Sequence, residues 1–295
     1  MANKELSFDV NKTYFKSRLL KPIINYGGYT IFSGLTLMLV VNVDTLMIGA
    51  LLPEDKLTFV GVYAVATYIA SVISVPNAAL ARIASPLIAH DWRAKNLKNI
   101  DEVYKKSSVL MSFAAGIIFG AIAINIDEIL VLMKPEFAAA KYVVLVLGFS
   151  RLLSMTFGVN YAILVVTKFY RAETFLAIFL LVLVVVTNFI FIPIYGILGA
   201  AMGTAIAIIM FNILMFLYIK YKINLQPFTV KTLNMLLIGA FAAVVTYLLP
   251  LNIENHIVSI IAKSAIFCFL YILPVYLLKV SEDINSVIDK YLFRR

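Results

Sequence analysis

TFLAIFLLVLVVVTNFIFIPIYGILGAAMGTAIAIIMFNILMFLYI, residues 174–219, runs 46 residues between Glu173 and Lys220 without one charged side chain. A break sits near its middle, at Pro193-Ile-Tyr-Gly-Ile-Leu-Gly199. An apolar span of roughly 20 residues crosses the hydrocarbon core of a bilayer. The stretch therefore has the length of two spanning helices joined by a tight turn, a hairpin with no reason to exist in water. The chain reads as an integral membrane protein, and its function is to be sought inside or across a bilayer.

The bulk composition agrees. Of 295 residues, 62% are hydrophobic and only 14% charged, against roughly 25% charged in soluble domains. The first 20 residues mix Lys4, Glu5, Asp9, Lys12, Lys16 and Arg18 and hold no apolar core of a signal peptide, so the N-terminus is expected to stay where it was made. The single cysteine, Cys268, lies in an apolar run and can form no intrachain disulfide. The net charge of +9 is spread over alternate loops and forms no contiguous basic patch, so nucleic acid is not an expected partner.

Eight candidate spans follow: Ile23–Leu51, Leu57–Ala89, Ser107–Ile126, Tyr142–Thr167, Thr174–Ile192, Gly199–Ile219, Thr232–Leu249 and Ile257–Leu278. The fold class is all-α, a polytopic membrane helix bundle of about eight transmembrane helices. The loops alternate in charge. Lys4, Lys12, Lys16, Arg18 and Lys21 precede the first span, Arg93, Lys95, Lys98, Lys105 and Lys106 follow the second, and Lys168 and Arg171 follow the fourth. Lys220, Lys222 and Lys231 follow the sixth, and Lys279, Lys290, Arg294 and Arg295 close the chain. The intervening loops hold only Lys56, Lys134 and Lys141. Positive loops stay in the cytoplasm, which puts both termini inside, as an even number of spans requires. Asp91 to Tyr104 reads as an amphipathic cytoplasmic connector. In the tail, Val280, Ile284, Val287, Ile288 and Tyr291 mark one apolar helical face, with Ser281 as N-cap. That helix suits either the inner leaflet or a dock on the bundle.

Polar groups at membrane depth are few. In the second span Thr67, Ser71, Ser74 and Ala78 recur at helical spacing, with Arg82 and Ser85 near the same face. They read as interhelical hydrogen bonding or as the wall of a hydrated cavity. Asp44 and Arg151 stand out. Arg151 lies about ten residues into its span, roughly 15 Å deep at 1.5 Å per residue. A charge there costs at least about 3 kcal/mol and should face protein or water. Arg151 shares a helical face with Ser154, Met155, Gly158 and Tyr161, while an unbroken helix turns Asn160 the opposite way. The pair either bind each other or the backbone and so fix the bundle, or Arg151 takes an anion such as phosphate and Asp44 a cation or a gating partner. Lys263, near an outer helix end, reads as snorkelling. Gly116 and Gly120, and Gly199 and Gly203, are Gly-x-x-x-Gly pairs that permit close helix approach.

Enzyme signatures are missing. His90 and His256 fall at opposite predicted faces, and no Gly-x-Ser-x-Gly, P-loop or Gly-x-Gly-x-x-Gly occurs. No catalytic residue, cofactor or metal is expected.

The segments Asn42-Val-Asp-Thr-Leu-Met-Ile-Gly49, Val60-Gly-Val-Tyr63 and Ala84-Ser-Pro-Leu-Ile-Ala89 resemble the seventh and eighth helices of polysaccharide flippases. Those belong to the multidrug/oligosaccharidyl-lipid/polysaccharide exporter superfamily. Gly158-Val-Asn160 and the run from Thr187-Asn188 through Pro193 and Gly196 to Gly199-Ala-Ala resemble the family's outer-loop motif between two later helices. The order holds from about Lys21 to about Thr229. The resemblance implies residues 1–21 as a cytoplasmic N-terminal segment, 22–219 as the second six-helix lobe, 220–278 as two additional helices and 279–295 as a cytoplasmic amphipathic tail. It implies translocation of an undecaprenyl-linked oligosaccharide across the bacterial cytoplasmic membrane by rocking of two lobes. The partners would then be a polyprenyl-linked sugar, membrane lipid, and either a first-lobe half or a second copy. Asp44 matches the acidic residue near which related drug exporters couple to cations. The expected substrate pathway is Asp44, Arg151, Ser154, Thr67, Ser71, Ser74 and Arg82. Alternatives are a cation-coupled multidrug exporter lobe and a non-transporting scaffold of a polysaccharide assembly complex.

Overall fold

The computed structural model describes residues 17–52, 56–133, 135–249 and 253–292, and the elements in them are all helical. Lys4, Lys12, Lys16, Glu54, Asp55, Lys134, Arg294 and Arg295 lie outside the described residues, as do the side chains of Arg18, Lys56, Val287, Ile288 and Tyr291. The helices are α1 (Ser17–Leu51), α2 (Lys56–Ser71), α3 (Val75–Arg93), α4 (Leu97–Val131), α5 (Lys141–Thr156), α6 (Asn160–Val166), α7 (Tyr170–Ile223), α8 (Val230–Leu248), α9 (His256–Leu277) and α10 (Glu282–Leu292). Among the described residues seven helical stretches are long and apolar enough to cross a membrane, one of them the 54-residue α7. α7 is broken at Gly196, where φ 59° and ψ −138° are open to glycine alone. A Cβ on Gly199 would meet the Phe191 carbonyl oxygen at 2.1 Å. The Pro193–Gly199 segment is thus the expected hairpin, and α7 makes two crossings. The chain is an all-α, polytopic membrane bundle.

Three boundaries differ from the sequence reading. The second span is interrupted by a 3-10 turn at Val72–Ser74, because Pro76 cannot donate to the helix ladder. The fourth span breaks between α5 and α6, where Gly158 adopts φ 57°. The stretch expected as a separate connector is instead the end of α3, a short turn and the start of α4, with the Asn96 side chain capping the Asn99 N–H. α4 therefore runs 35 residues, about 50 Å, and projects past the hydrocarbon.

The large exposed apolar side chains, among them Phe32, Met38, Phe175, Phe189, Phe241 and Phe269, would be an aggregation hazard in water and suit lipid. The basic ends gather at one pole: Lys98 and Lys105 of α4 border one groove with Lys220 of α7, and Lys105 and Lys106 border another with Lys231 of α8. At the opposite pole Lys141 pairs with Asp127 at 2.6 Å.

Packing divides by depth. Near the basic pole Ile100, Tyr104, Ile163, Val184, Met215 and Ile219 form one core. Toward the other pole Ile48, Val62, Tyr63, Val144, Leu147 and Ile192 form a second. α8 and α9 dock on α4 through a third. There the glycines of α4 admit aromatic rings: a Cβ on Gly116 would meet the Tyr271 hydroxyl at 2.5 Å, and one on Gly120 the Phe267 ring at 2.1 Å. Polar contacts along the same seam are the Asn125 amide to Ser264 at 3.0 Å and Lys263 to Glu128, with Ser259 also donating to Glu128 at 3.3 Å. Lys263 is therefore an interhelical partner and does not simply snorkel. α10 docks on the bundle through the buried Val280 and Ile284, and Lys106 reaches Asp283 at 3.8 Å.

Candidate functional site

Between the two cores of α1–α7 lies a cavity of about 320 Å³, bordered by Asp44, Thr67, Asn77, Arg151, Ser154 and Asn160 among others. Its position follows from the helix breaks. The 3-10 turn after α2 brings Asn77 to its edge, and the α5–α6 break puts Gly158 in its wall. That break is pinned from outside: the Val159 N–H donates to Ser107 Oγ at 3.3 Å, and Ser108 Oγ donates to the Thr156 carbonyl at 2.6 Å. A Cβ on Gly158 would lie 2.4 Å from Ser107 Oγ. Close contact and left-handed backbone both demand glycine here.

The same break overturns one expectation. Asn160 does not turn away from Arg151. With the helix interrupted at Gly158, it faces the cavity that Arg151 lines. Its amide donates to Asn212 Oδ1 at 3.1 Å, and Asn212 donates to Ser154 Oγ at 3.0 Å and to the Ile208 carbonyl at 2.9 Å.

Asp44 is 4% exposed and sits under three donors. Tyr63 Oη donates to Oδ2 at 2.5 Å, Asn188 Nδ2 donates to Oδ1 at 2.6 Å, and Thr204 Oγ1 lies 2.8 Å from both oxygens. This cluster ties α1 to α2 and to both arms of α7. Two further buried oxygens of these elements, Thr67 Oγ1 and Asn188 Oδ1, have no hydrogen-bond partner among the described residues. Arg151 makes no ion pair with Asp44, and among the described residues it has no hydrogen-bond or ion-pair partner. Of the two readings open at the outset, direct pairing is therefore absent.

The remaining expected pathway residues fall elsewhere. Ser71 is exposed and donates to the Tyr68 carbonyl at 2.7 Å, Ser74 sits half-buried in the 3-10 turn, and Arg82 is exposed on α3. None of the three borders the cavity. Sequence reasoning passed over Tyr63, Asn188, Thr204 and Asn212. A signal existed: Asn188 and Asn212 are the two carboxamides in the uncharged run of residues 174–219. Toward the basic pole, Ser33 of α1 donates to the buried Glu173 of α7 at 2.7 Å, a second polar tie between these helices.

Residues 9–133 match the family described as polysaccharide biosynthesis protein. That match covers under half of the chain. An uncharacterized membrane protein of Methanocaldococcus jannaschii is 21% identical over 309 residues, covering 97% of this chain and 57% of that protein. The chain thus spans little more than half the length of that curated relative. The fold is similar to that of a MOP superfamily transporter from Pyrococcus furiosus, with TM-score 0.56 and 16% identity, covering 92% of this chain and 71% of the other. That transporter is described as having a binding pocket of reversed polarity.

Proposed function

We propose that the chain belongs to the polysaccharide-synthesis/MOP superfamily and is a lobe of a transporter that carries a lipid-linked oligosaccharide precursor across the cytoplasmic membrane. Residues 22–219 form the lobe, 220–278 two additional helices, and both termini face the cytoplasm. The observation that carries the reading is Arg151, a cation well inside an apolar span, beside a polar cavity and without a hydrogen-bond or ion-pair partner among the described residues. A charge kept there against a cost of about 3 kcal/mol is kept for a ligand. The phosphate of a polyprenyl-linked sugar fits, since charge-assisted hydrogen bonds from guanidinium to phosphate are strong. Thr67 and Ser154 line the same path, and Ser71, Ser74 and Arg82 would form its approach along α2 and α3. The gathered basic loops support the inside-facing termini. The bacterial source implied by resemblance gains no support, because both relatives are archaeal.

Asp44 favours a second reading. Its carboxylate, with the free oxygens of Thr67 and Asn188 on the same elements, offers hard oxygen ligands to a small cation. Cation coupling can drive the sugar transporter, or the lobe can belong to a cation-coupled drug exporter.

The test uses membrane vesicles from cells with and without the full chain, loaded with a fluorescent polyprenyl-diphosphate oligosaccharide. Sugar is expected to reach the opposite leaflet faster with the chain present. Equal rates would leave a scaffold of the assembly machinery, and movement of hydrophobic cations in place of sugar would select the drug exporter.

A further inference from the structure

We infer that the cavity beside Arg151 is an oxyanion subsite, sized for a phosphate or diphosphate group alone, whose donors Ser154 and Asn160 are aimed by Asn212. The identity of the ligand rests on the proposed transport reading; the binding itself does not need transport.

Both carboxamides have their orientation set by backbone. The Asn212 amide nitrogen donates to the Ile208 carbonyl, and Asn160 Oδ1 accepts the Tyr161 N–H at 2.7 Å. With those ends fixed, Asn212 Oδ1 accepts from Asn160, and its second N–H is spent on Ser154 Oγ. Both N–H groups of Asn212 are then spent. Ser154 already accepts, so its own proton is left to point elsewhere, and among the described residues no acceptor takes it. Asn160 keeps one N–H in the same position. Arg151 keeps all five of its donors. Arg151, Ser154 and Asn160 thus have donors to offer on one side of the cavity. The carboxylate that borders the cavity, Asp44, is already held by Tyr63, Asn188 and Thr204.

An acceptor-only ligand of high charge density completes such a site, and phosphate oxygens are of that kind. Size limits the rest. At about 320 Å³ the cavity is at the small end of ligand pockets, which run from about 300 to 1,000 Å³. It has room for a diphosphate with some water, and its open side lets a larger group extend outward. A lipid-linked saccharide would seat only its charged linkage here, with saccharide and lipid tail outside.

The test is titration of the purified full chain in detergent with inorganic diphosphate, followed calorimetrically. Saturable binding is expected, unaffected by free hexose. Arg151→Gln should weaken it by about 10- to 100-fold, the worth of a hydrogen-bonded charge, and Ser154→Ala by about 5-fold. Asn212→Leu should cost more than Ser154→Ala, because it frees Asn160 as well, and adding Ser154→Ala to it should cost nothing more. That non-additivity is what a positioning residue gives and a merely structural one does not. Lys98→Gln and Lys220→Gln, on the surface groove, should leave binding unchanged. Competition by polyprenyl diphosphate would identify a lipid-linked source for the anion, and its failure to compete would identify the free anion. The inference is overturned if diphosphate does not bind, or binds equally well to Arg151→Gln but not to the lysine variants. Binding without flipping in vesicles would remove the transport reading alone.

Discussion

Arg151→Gln is expected to slow movement of the lipid-linked sugar on the order of 100-fold, the range seen when one partner of a desolvated charge contact is truncated. The protein should stay as abundant and at least as stable as the parent. Both halves come from one observation: Arg151 makes no hydrogen bond or ion pair among the described residues, its attraction to the Asp44 carboxylate acting only at longer range. A side chain that bonds nothing cannot hold the bundle together, and removing its charge from mid-membrane relieves up to about 3 kcal/mol. A structural arginine would behave in the opposite way, losing stability with function. Flipping rate in vesicles and thermal reactivity of Cys268, the chain's single thiol, measure the two halves separately. A variant that flips at the parental rate removes Arg151 from the substrate path.

Asp44→Ala is expected to destabilise the fold. It strips the shared acceptor from Tyr63, Asn188 and Thr204, all on elements that meet at α1. Each buried donor left unsatisfied costs about 1–3 kcal/mol, so a loss of about 3 kcal/mol or more follows. For a chain of this size that lowers the melting temperature by roughly 6 °C or more. Asp44→Asn, which keeps one acceptor oxygen, should fall between. The opposite responses of these two residues are the sharpest consequence of the geometry, because in sequence they look alike: rare charges inside apolar helices. An Asp44→Ala protein as stable as the parent would mean that water reaches the cluster and that its hydrogen bonds hold little.

Most of the bundle was legible because two independent signals set it. Apolar run length gives the spans, and the alternation of lysine-rich and lysine-poor loops gives their order. The site was legible in part, for a physical reason. Helical-wheel reasoning assumes an unbroken helix, and the site is built at two breaks. Gly158 looked like a small residue on the Arg151 face. Its left-handed backbone instead ends α5 and swings Asn160 into the cavity. Pro76 interrupts the second span, and the 3-10 turn beside it brings Asn77 to the edge while leaving Ser71 and Arg82 outside. Asn188, Thr204 and Asn212 were hidden differently. They lie in the most apolar run of the chain, where a single polar residue reads as tolerated, and only contact with α1 and α5 shows what each one meets.

The central claim is that water reaches the groups around Arg151 at mid-membrane depth. The most direct measurement is labelling of single cysteines, in a Cys268→Ala background, by a charged membrane-impermeant thiosulfonate. Ser154→Cys should react, and inorganic diphosphate should protect it; Phe189→Cys, on the exposed apolar face, should not react. A Ser154→Cys protein as inert as Phe189→Cys would contradict the account.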